Sequence, residues 1–140
     1  MSRALTAPGD NTAAAEFSAW LASPEIQTRL AEHLPASVPA ARFVAAARTA
    51  VITSPQMLRS EYRPSLMQAL FRAAAMGLVP DGQQGALILR RDRDGQSRVV
   101  FQSMVAGLLH LAAQAGISAR PVIVFTGERV LIDEAQGTIE

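Results

Sequence analysis

The residues best suited to chemistry are arginines concentrated in one short segment, where Arg90, Arg91, Arg93 and Arg98 fall within nine positions. A guanidinium group forms forked hydrogen bonds with phosphate and stacks on nucleobases, so this density suits contact with a nucleic-acid backbone. The alternative is a solvated turn whose arginines pair with the aspartates between them. We expect Arg93 at the tip of the turn, and the strand register decides whether Arg90 or Arg91 faces a ligand.

Three residues outside this cluster are also candidates for binding DNA. Gln102 could reach a phosphate, a sugar or a base edge, although an amide satisfied at a strand end explains it almost equally well. Arg72 lies in a strongly amphipathic segment and is either a phosphate contact or an exposed helix residue. His110 is the one polar side chain with positive potential in its segment.

The residues that enzymes use most often are scarce. The chain has no cysteine and no lysine, which excludes disulfides, thiolate zinc sites and a lysine-containing phosphate-binding loop. Its two histidines, His33 and His110, are too far apart in sequence to suggest a metal site. Carboxylates at Asp92, Asp94 and 133–134 could hold a metal for nuclease chemistry, but no further ligand accompanies them. We therefore expect no catalytic residue, no metal and no cofactor.

Composition indicates one α-rich domain. The 140 residues are 49% apolar and carry a net charge of +1, and all thirteen basic residues are arginines. A G+C-rich genome would also produce a lysine-free chain. Arg3 is followed by Pro8, Gly9 and Asp10 instead of an apolar stretch, and no segment is long enough to span a bilayer. We expect a cytoplasmic protein without membrane contact.

Apolar periodicity predicts four helices in the first half of the chain. Ser23 and Pro24 mark one start, because serine caps a helix and proline suits its first turn. Gly77 is expected to end the fourth helix in a left-handed conformation. The predicted helices cover 13–22, 24–34, 39–53 and 64–76.

The second half predicts strands around one more helix. Two β-prone runs, residues 86–91 and 97–102, flank a turn that contains Asp94 and Gly95, which indicates a hairpin. A helix is predicted over 103–115, followed by two strands over 118–125 and 129–133. The strand with Pro121 should lie at an edge, since proline cannot donate to a ladder. The fold class is therefore α+β: N-terminal helices, then a β-hairpin, a central helix and further antiparallel strands.

An ordered set of short motifs resembles the RecT family of phage single-strand annealing proteins. The resemblance covers roughly residues 39–133, and the ordered spacing is more specific than any single piece. In this family a helix ends in a Gly-Leu-x-Pro-Asp-Gly turn, followed by a hairpin, a glutamine, a Gly-Leu-Ile-type helix and an Ala/Ser-Gly cap. A strand that ends in Val-Tyr/Phe-x-Gly-Asp/Glu comes last. The matching residues here are Gly77-Leu78, Pro80-Asp81-Gly82, Gln102, Gly107-Leu108-Leu109, Ala115-Gly116 and Val124-Phe125-Thr126-Gly127-Glu128.

The resemblance implies a non-enzymatic protein that binds single-stranded DNA and the nascent annealed duplex without ATP. It also implies assembly into rings or filaments, and it suggests a partner exonuclease and a host single-strand binding protein. In this context DNA contact becomes the favoured interpretation of the hairpin. Residues 1–36 would form a variable helical segment and 37–140 a RecT-like core shortened at its C-terminal side. The expected DNA-binding residues are Arg90, Arg91, Arg98, Gln102, Arg72 and His110.

The central helix departs from the family pattern. Family members usually carry an aromatic and a basic residue immediately before the helix glycine, where this chain has Val105 and Ala106. A basic residue near the helix end is replaced by Gln114. The rival hypothesis is therefore a RecT-like assembly or interaction module that has lost DNA binding. A nuclease or other hydrolase is the third.

Overall fold

The computed structural model describes residues 8–133 and 138–139. Two short 3₁₀ turns, Pro55–Leu58 and Ser60–Tyr62, join the third and fourth helices. In chain order the helices and strands are α1 (Pro8–Ala22), α2 (Pro24–His33), α3 (Ala40–Ile52), α4 (Arg63–Met76), β1 (Gly85–Arg91), β2 (Ser97–Ser103), α5 (Val105–Gln114), β3 (Ile132–Asp133) and β4 (Thr138–Ile139). The described part of the chain confirms the predicted α+β class.

The helix boundaries follow from local chemistry. Pro24 occupies the first turn of α2, where its missing N–H costs no hydrogen bond, and Glu25 favours the positive end of the helix dipole. At the end of α4, Gly77 adopts a φ of 69°, a left-handed conformation that glycine tolerates. The amides of Gly77 and Leu78 then donate to the carbonyls of Ala74 and Ala73. This turn directs the chain out of the helical layer and towards the hairpin.

The core lies between the four N-terminal helices and one face of the hairpin. Phe43 of α3 and Leu70 of α4 are almost completely buried, and Val99 and Phe101 of β2 close the core from the sheet side. Trp20 is only partly buried, and its ring lies 5.8 Å from that of Phe17. Among the residues whose side chains the structure describes, none of the buried ones is polar or charged.

The hairpin is a two-stranded antiparallel sheet of β1 and β2. Its register pairs Leu87 with Phe101 and Leu89 with Val99. Side chains directly opposite each other share a face, and on this face Leu87, Val99 and Phe101 are buried, whereas Leu89 is 37% exposed. The predicted strands over 86–91 and 97–102 are therefore confirmed to within one residue.

Two predictions need correction. Helix α1 begins at Pro8, five positions before the expected start, because proline fits a first helical turn and the alanines that follow favour helix. Residues 118–125 form no strand, and only Ile132–Asp133 of the predicted 129–133 strand pairs, with Thr138–Ile139. A β-prone segment becomes a strand only when another segment pairs with it, and residues 113–132 are all exposed.

No helix among the described residues combines the length and apolar character needed to cross a bilayer. In the same part of the chain, no three acidic or histidine side chains are grouped as metal ligands would be. Asp92 and Asp94 lie at the hairpin turn. Glu134, considered with Asp133 as a metal ligand, lies outside the described residues.

Candidate nucleic-acid interface

Two arginines lie directly opposite each other on the solvent face of the hairpin. The register pairs Arg90 of β1 with Arg98 of β2, and both are exposed. Their face of the sheet is the one turned away from the helices, because Val99 and Leu87 on the other face are buried. Like charges at directly opposed positions destabilise a sheet. An anion that bridges the two guanidinium groups would remove this repulsion.

An internal acid already neutralises part of this charge. Arg98 Nη2 forms an ion pair with Asp92 Oδ2, at the start of the hairpin turn. The Asp92 side chain is 26% exposed and that of Arg98 is 59% exposed, so the guanidinium still presents surface to solvent. The solvated-turn alternative is thus realised for one arginine of the hairpin. Any phosphate that binds Arg98 must compete with Asp92.

Arg72 and Arg98 line the same shallow groove. The groove has a volume of about 210 Å³ and runs between α4 and β2, with Ser65 and Gln68 also in its wall. Arg72 comes from α4 and Arg98 from β2, so two elements that are far apart in sequence contribute basic side chains to one groove. The strand register places Arg90 opposite Arg98.

One serine fixes α4 against β2. The Val99 amide donates to Ser65 Oγ at 3.0 Å, and Ser65 Oγ donates to the Tyr62 carbonyl at 2.9 Å. The Ser65 hydroxyl thereby occupies the outer edge of β2, where the amide of a strand would otherwise need another strand. Sequence analysis missed this residue. Serine just after Pro64 indicates a helix start, and nothing in local spacing indicates a bond to a residue 34 positions away.

The remaining predicted residues are not gathered at this surface. Arg91 points to the opposite face from Arg90, and its Nε donates to the Gly95 carbonyl at 3.1 Å. The register therefore selects Arg90 over Arg91 for the solvent face. Gln102 shares the Arg90 face, but its amide Nε2 donates to the Ser103 carbonyl at 3.2 Å. Arg93 lies in the hairpin turn, as expected.

His110 lies on α5, outside the groove that Arg72 and Arg98 line. Its Nε2 is 3.1 Å from the Nε2 of Gln114, one helical turn later. The outer side of α5 is apolar: Val105 is 58% exposed and Leu108 is 51% exposed. The helix that supplies basic groups in the family pattern therefore presents a mainly apolar surface here.

The loop between α4 and β1 is fixed at both ends. Asp81 Oδ1 accepts hydrogen bonds from the amides of Gln83 and Gln84, so this acid shapes the turn. Gln84 Oε1 accepts from the Val79 amide, and the Gln84 carbonyl accepts from the Met104 amide. Gln84 thus connects the end of the helical layer to the start of α5. It was not singled out in the sequence, where one of two adjacent glutamines in a loop carries no specific signal.

A comparison with protein-family models, with curated proteins and with solved structures found no match.

Proposed function

We propose that the chain binds single-stranded DNA through the outer face of the hairpin and the adjoining groove, and promotes annealing of complementary strands without ATP. The observation that carries the proposal is the surface formed by Arg90, Arg98 and Arg72. Arg90 and Arg98 are cross-strand partners, and Arg72 lines the same groove as Arg98, so three elements contribute basic side chains to this part of the protein. This arrangement suits an extended phosphate backbone, which presents charges in a row.

The proposed action is to hold one strand by its backbone and leave its bases free to pair. Arginine contacts to phosphate carry no sequence information, which suits a protein that must accept any sequence. The motif resemblance to RecT proteins supports the same function. Repetition along an assembly would then compensate for few contacts per copy, since linked sites act at high effective concentration.

A second candidate function is assembly or protein interaction without DNA binding. Two observations favour it: Asp92 already pairs with Arg98, and α5 exposes Val105 and Ala106 where the family pattern has an aromatic and a basic residue. An exposed apolar surface of this kind is typical of protein contacts. The two candidates differ in one measurable property, which is salt-dependent binding to single strands.

The test is annealing of two complementary oligonucleotides, one labelled with a donor and the other with an acceptor fluorophore. Energy transfer is followed with and without protein over a series of salt concentrations. We expect acceleration that fades as salt rises, because released counterions drive phosphate contacts. Gel analysis of the same samples should show intact strands. Absence of acceleration and of binding at low salt would reject the annealing function and leave the second candidate.

The matched variants are Arg90→Ala/Arg98→Ala and Arg91→Ala. All three side chains belong to the hairpin, but only the first two share the solvent face. The double variant should slow annealing much more than Arg91→Ala does. The double variant removes two charges and Arg91→Ala removes one. A loss in log affinity only twice that of Arg91→Ala would therefore mean that net charge, and not this surface, determines binding.

A further inference from the structure

The hairpin has one covered edge and one open edge. The residues that flank β1 bond across the hairpin: the Gln84 carbonyl accepts from the Met104 amide, and the Asp92 amide donates to the Gln96 carbonyl. Bonding alternates along an antiparallel pair, so Leu87, Leu89 and Arg91 direct their N–H and C=O groups away from β2. In the described part of the chain the sheet holds no third strand, so this outer edge of β1 has no ladder partner.

A groove of about 490 Å³ lies beside the first half of this edge. Its walls are α3, including Thr49 and Thr53, the loop residue Asp81, and Leu87 of β1. Natural proteins usually cover such an edge, since unpaired backbone groups next to apolar surface attract another strand. The geometry is that of a site for strand addition.

The same chain also contains a strand-prone segment that has no strand to pair with. We call residues 117–125 the arm. It contains four consecutive large apolar residues after Pro121, and these are strongly exposed: Ile123 is 78% exposed and Phe125 is 67% exposed. Its composition favours a strand, yet none forms within the chain. The arm therefore lacks a ladder partner, and the β1 edge lacks a strand.

We infer that the arm of one copy pairs with the β1 edge of a second copy. Charge complementarity supports the arm of a second copy as the segment that pairs with β1, and it indicates whether the arm runs parallel or antiparallel to β1. Asp81 lies at the groove end of β1, whereas Arg90 and Arg91 lie at its far end. The arm has Arg120 near its start, and the adjacent Glu128 and Arg129 beyond its end carry no net charge together. A parallel arrangement brings Arg120 to Asp81, whereas an antiparallel one places Arg120 beside Arg90 and Arg91.

The contact is one protein surface with another, so it goes beyond the proposed function and is testable without DNA. Because donor and acceptor surfaces differ, each copy can give one arm and receive one. Contacts of this heterologous type build rings or open filaments. Failure of this inference would leave DNA binding by the hairpin face unaffected.

The experiment uses the absence of cysteine from the whole sequence. Chains with Leu89→Cys are mixed, under mild oxidation, with chains that carry one cysteine at 122, 123, 124 or 125. Any mixed disulfide then joins two copies. Neighbouring strands lie about 4.7–4.9 Å apart, within the Cα separation that a disulfide spans. We expect cross-linking to alternate along the arm, because successive side chains point to opposite faces.

A second acceptor, Arg91→Cys, determines the direction of the arm. In the parallel arrangement its best partner lies two residues after the best partner of Leu89→Cys, and in an antiparallel arrangement it lies two residues before. Glu32→Cys on α2 is the control acceptor and should give little mixed product. Equal yields at all arm positions, or equal yields with the control, would overturn the inference.

The arm variant Ile123→Asp/Val124→Asp places a charge on each face of the segment, so it opposes pairing in any register. Sedimentation of the unaltered chain should show self-association that rises with concentration, and the variant should lose it. Circular dichroism and the unfolding midpoint should stay unchanged, since these side chains are exposed within one copy. A wild-type chain that remains monomeric, or a double variant Leu89→Cys/Ile123→Cys that cross-links only within itself, would contradict pairing between copies.

Discussion

Gly107 of α5 lies against the backbone carbonyl of Gln84. A Cβ at position 107 would come within 2.9 Å of the Gln84 carbonyl carbon and closer still to its oxygen. The same carbonyl accepts the Met104 amide at 3.0 Å, so the start of α5 is pinned to the loop before β1. This close approach explains why a residue unfavourable in helices occupies the middle of one.

Gly107→Ala tests this contact, because helix propensity and the contact with Gln84 change the free energy of unfolding in opposite directions. Helix propensity alone would make the alanine variant more stable by about 1 kcal/mol. The collision with Gln84 should reverse this, and we expect a net loss of roughly 1–3 kcal/mol in the free energy of unfolding, as for overpacked sites. Urea unfolding followed by circular dichroism measures it. Ala106→Gly, at the exposed neighbouring position, calibrates the propensity term, and a stabilised Gly107→Ala would show that α5 does not pack there.

Ser65→Ala should loosen the attachment of β2 to α4. The Val99 amide would lose its acceptor at a position where Val99 is only 2% exposed. An unsatisfied buried donor costs about 1–3 kcal/mol. Hydrogen exchange of the Val99 amide should accelerate together with the loss of stability. Thr28→Ala removes an exposed hydroxyl that bonds only within α2, so it should change stability by less than about 0.5 kcal/mol.

Arg90→Ala and Arg98→Ala should each weaken binding to single-stranded DNA and flatten its dependence on salt. Each lost phosphate contact lowers the slope of log K against log salt by about 0.7 for single strands. Fluorescence anisotropy of a labelled oligonucleotide over a salt series measures the slope. Arg91→Ala, with its guanidinium on the opposite face, should leave the slope nearly unchanged. An unaltered slope in both solvent-face variants would exclude these arginines as phosphate contacts.

Asp92→Asn should strengthen DNA binding, because it frees Arg98 from its internal partner. Exposed ion pairs contribute about 0.2–1 kcal/mol, so the gain in affinity should reach about fivefold at most. Asp94→Asn changes net charge by the same amount and serves as the control for general electrostatic attraction. If both variants gain equally, the Arg98–Asp92 pair does not compete with phosphate.

Local sequence rules predicted most of the fold. Proline at helix starts, glycine at helix ends and Asp-Gly in a turn act over a few residues, so the ends of α2, α4 and the hairpin were predictable. The arm was predicted as a strand because its composition favours one. Its true state depends on a pairing partner, and composition does not encode whether the same chain provides that partner.

The candidate surface was predictable in part. The density of arginines indicated the hairpin, but whether Arg90 or Arg91 faces solvent depends on register. The groove shared by Arg72 and Arg98 depends on how α4 packs against β2, which Ser65 determines from 34 residues away. Such long-range contacts have no signature in residue spacing, so they emerge only from the folded structure.

The apolar core has a consequence for how relatives of this chain diverge. The described buried residues include no polar side chain that needs a hydrogen-bond partner, so the core constrains only the volume and the pattern of its apolar side chains. Protein cores tolerate many simultaneous apolar exchanges that preserve this volume and pattern. Mutation can therefore replace leucine, valine or isoleucine there repeatedly without altering the fold. We expect the positions that backbone geometry restricts, Gly77 and Gly107, to change least among relatives of this chain. Common ancestry should therefore be easier to recognise from these glycines and from the loop between α4 and β1 than from the residues of the apolar core.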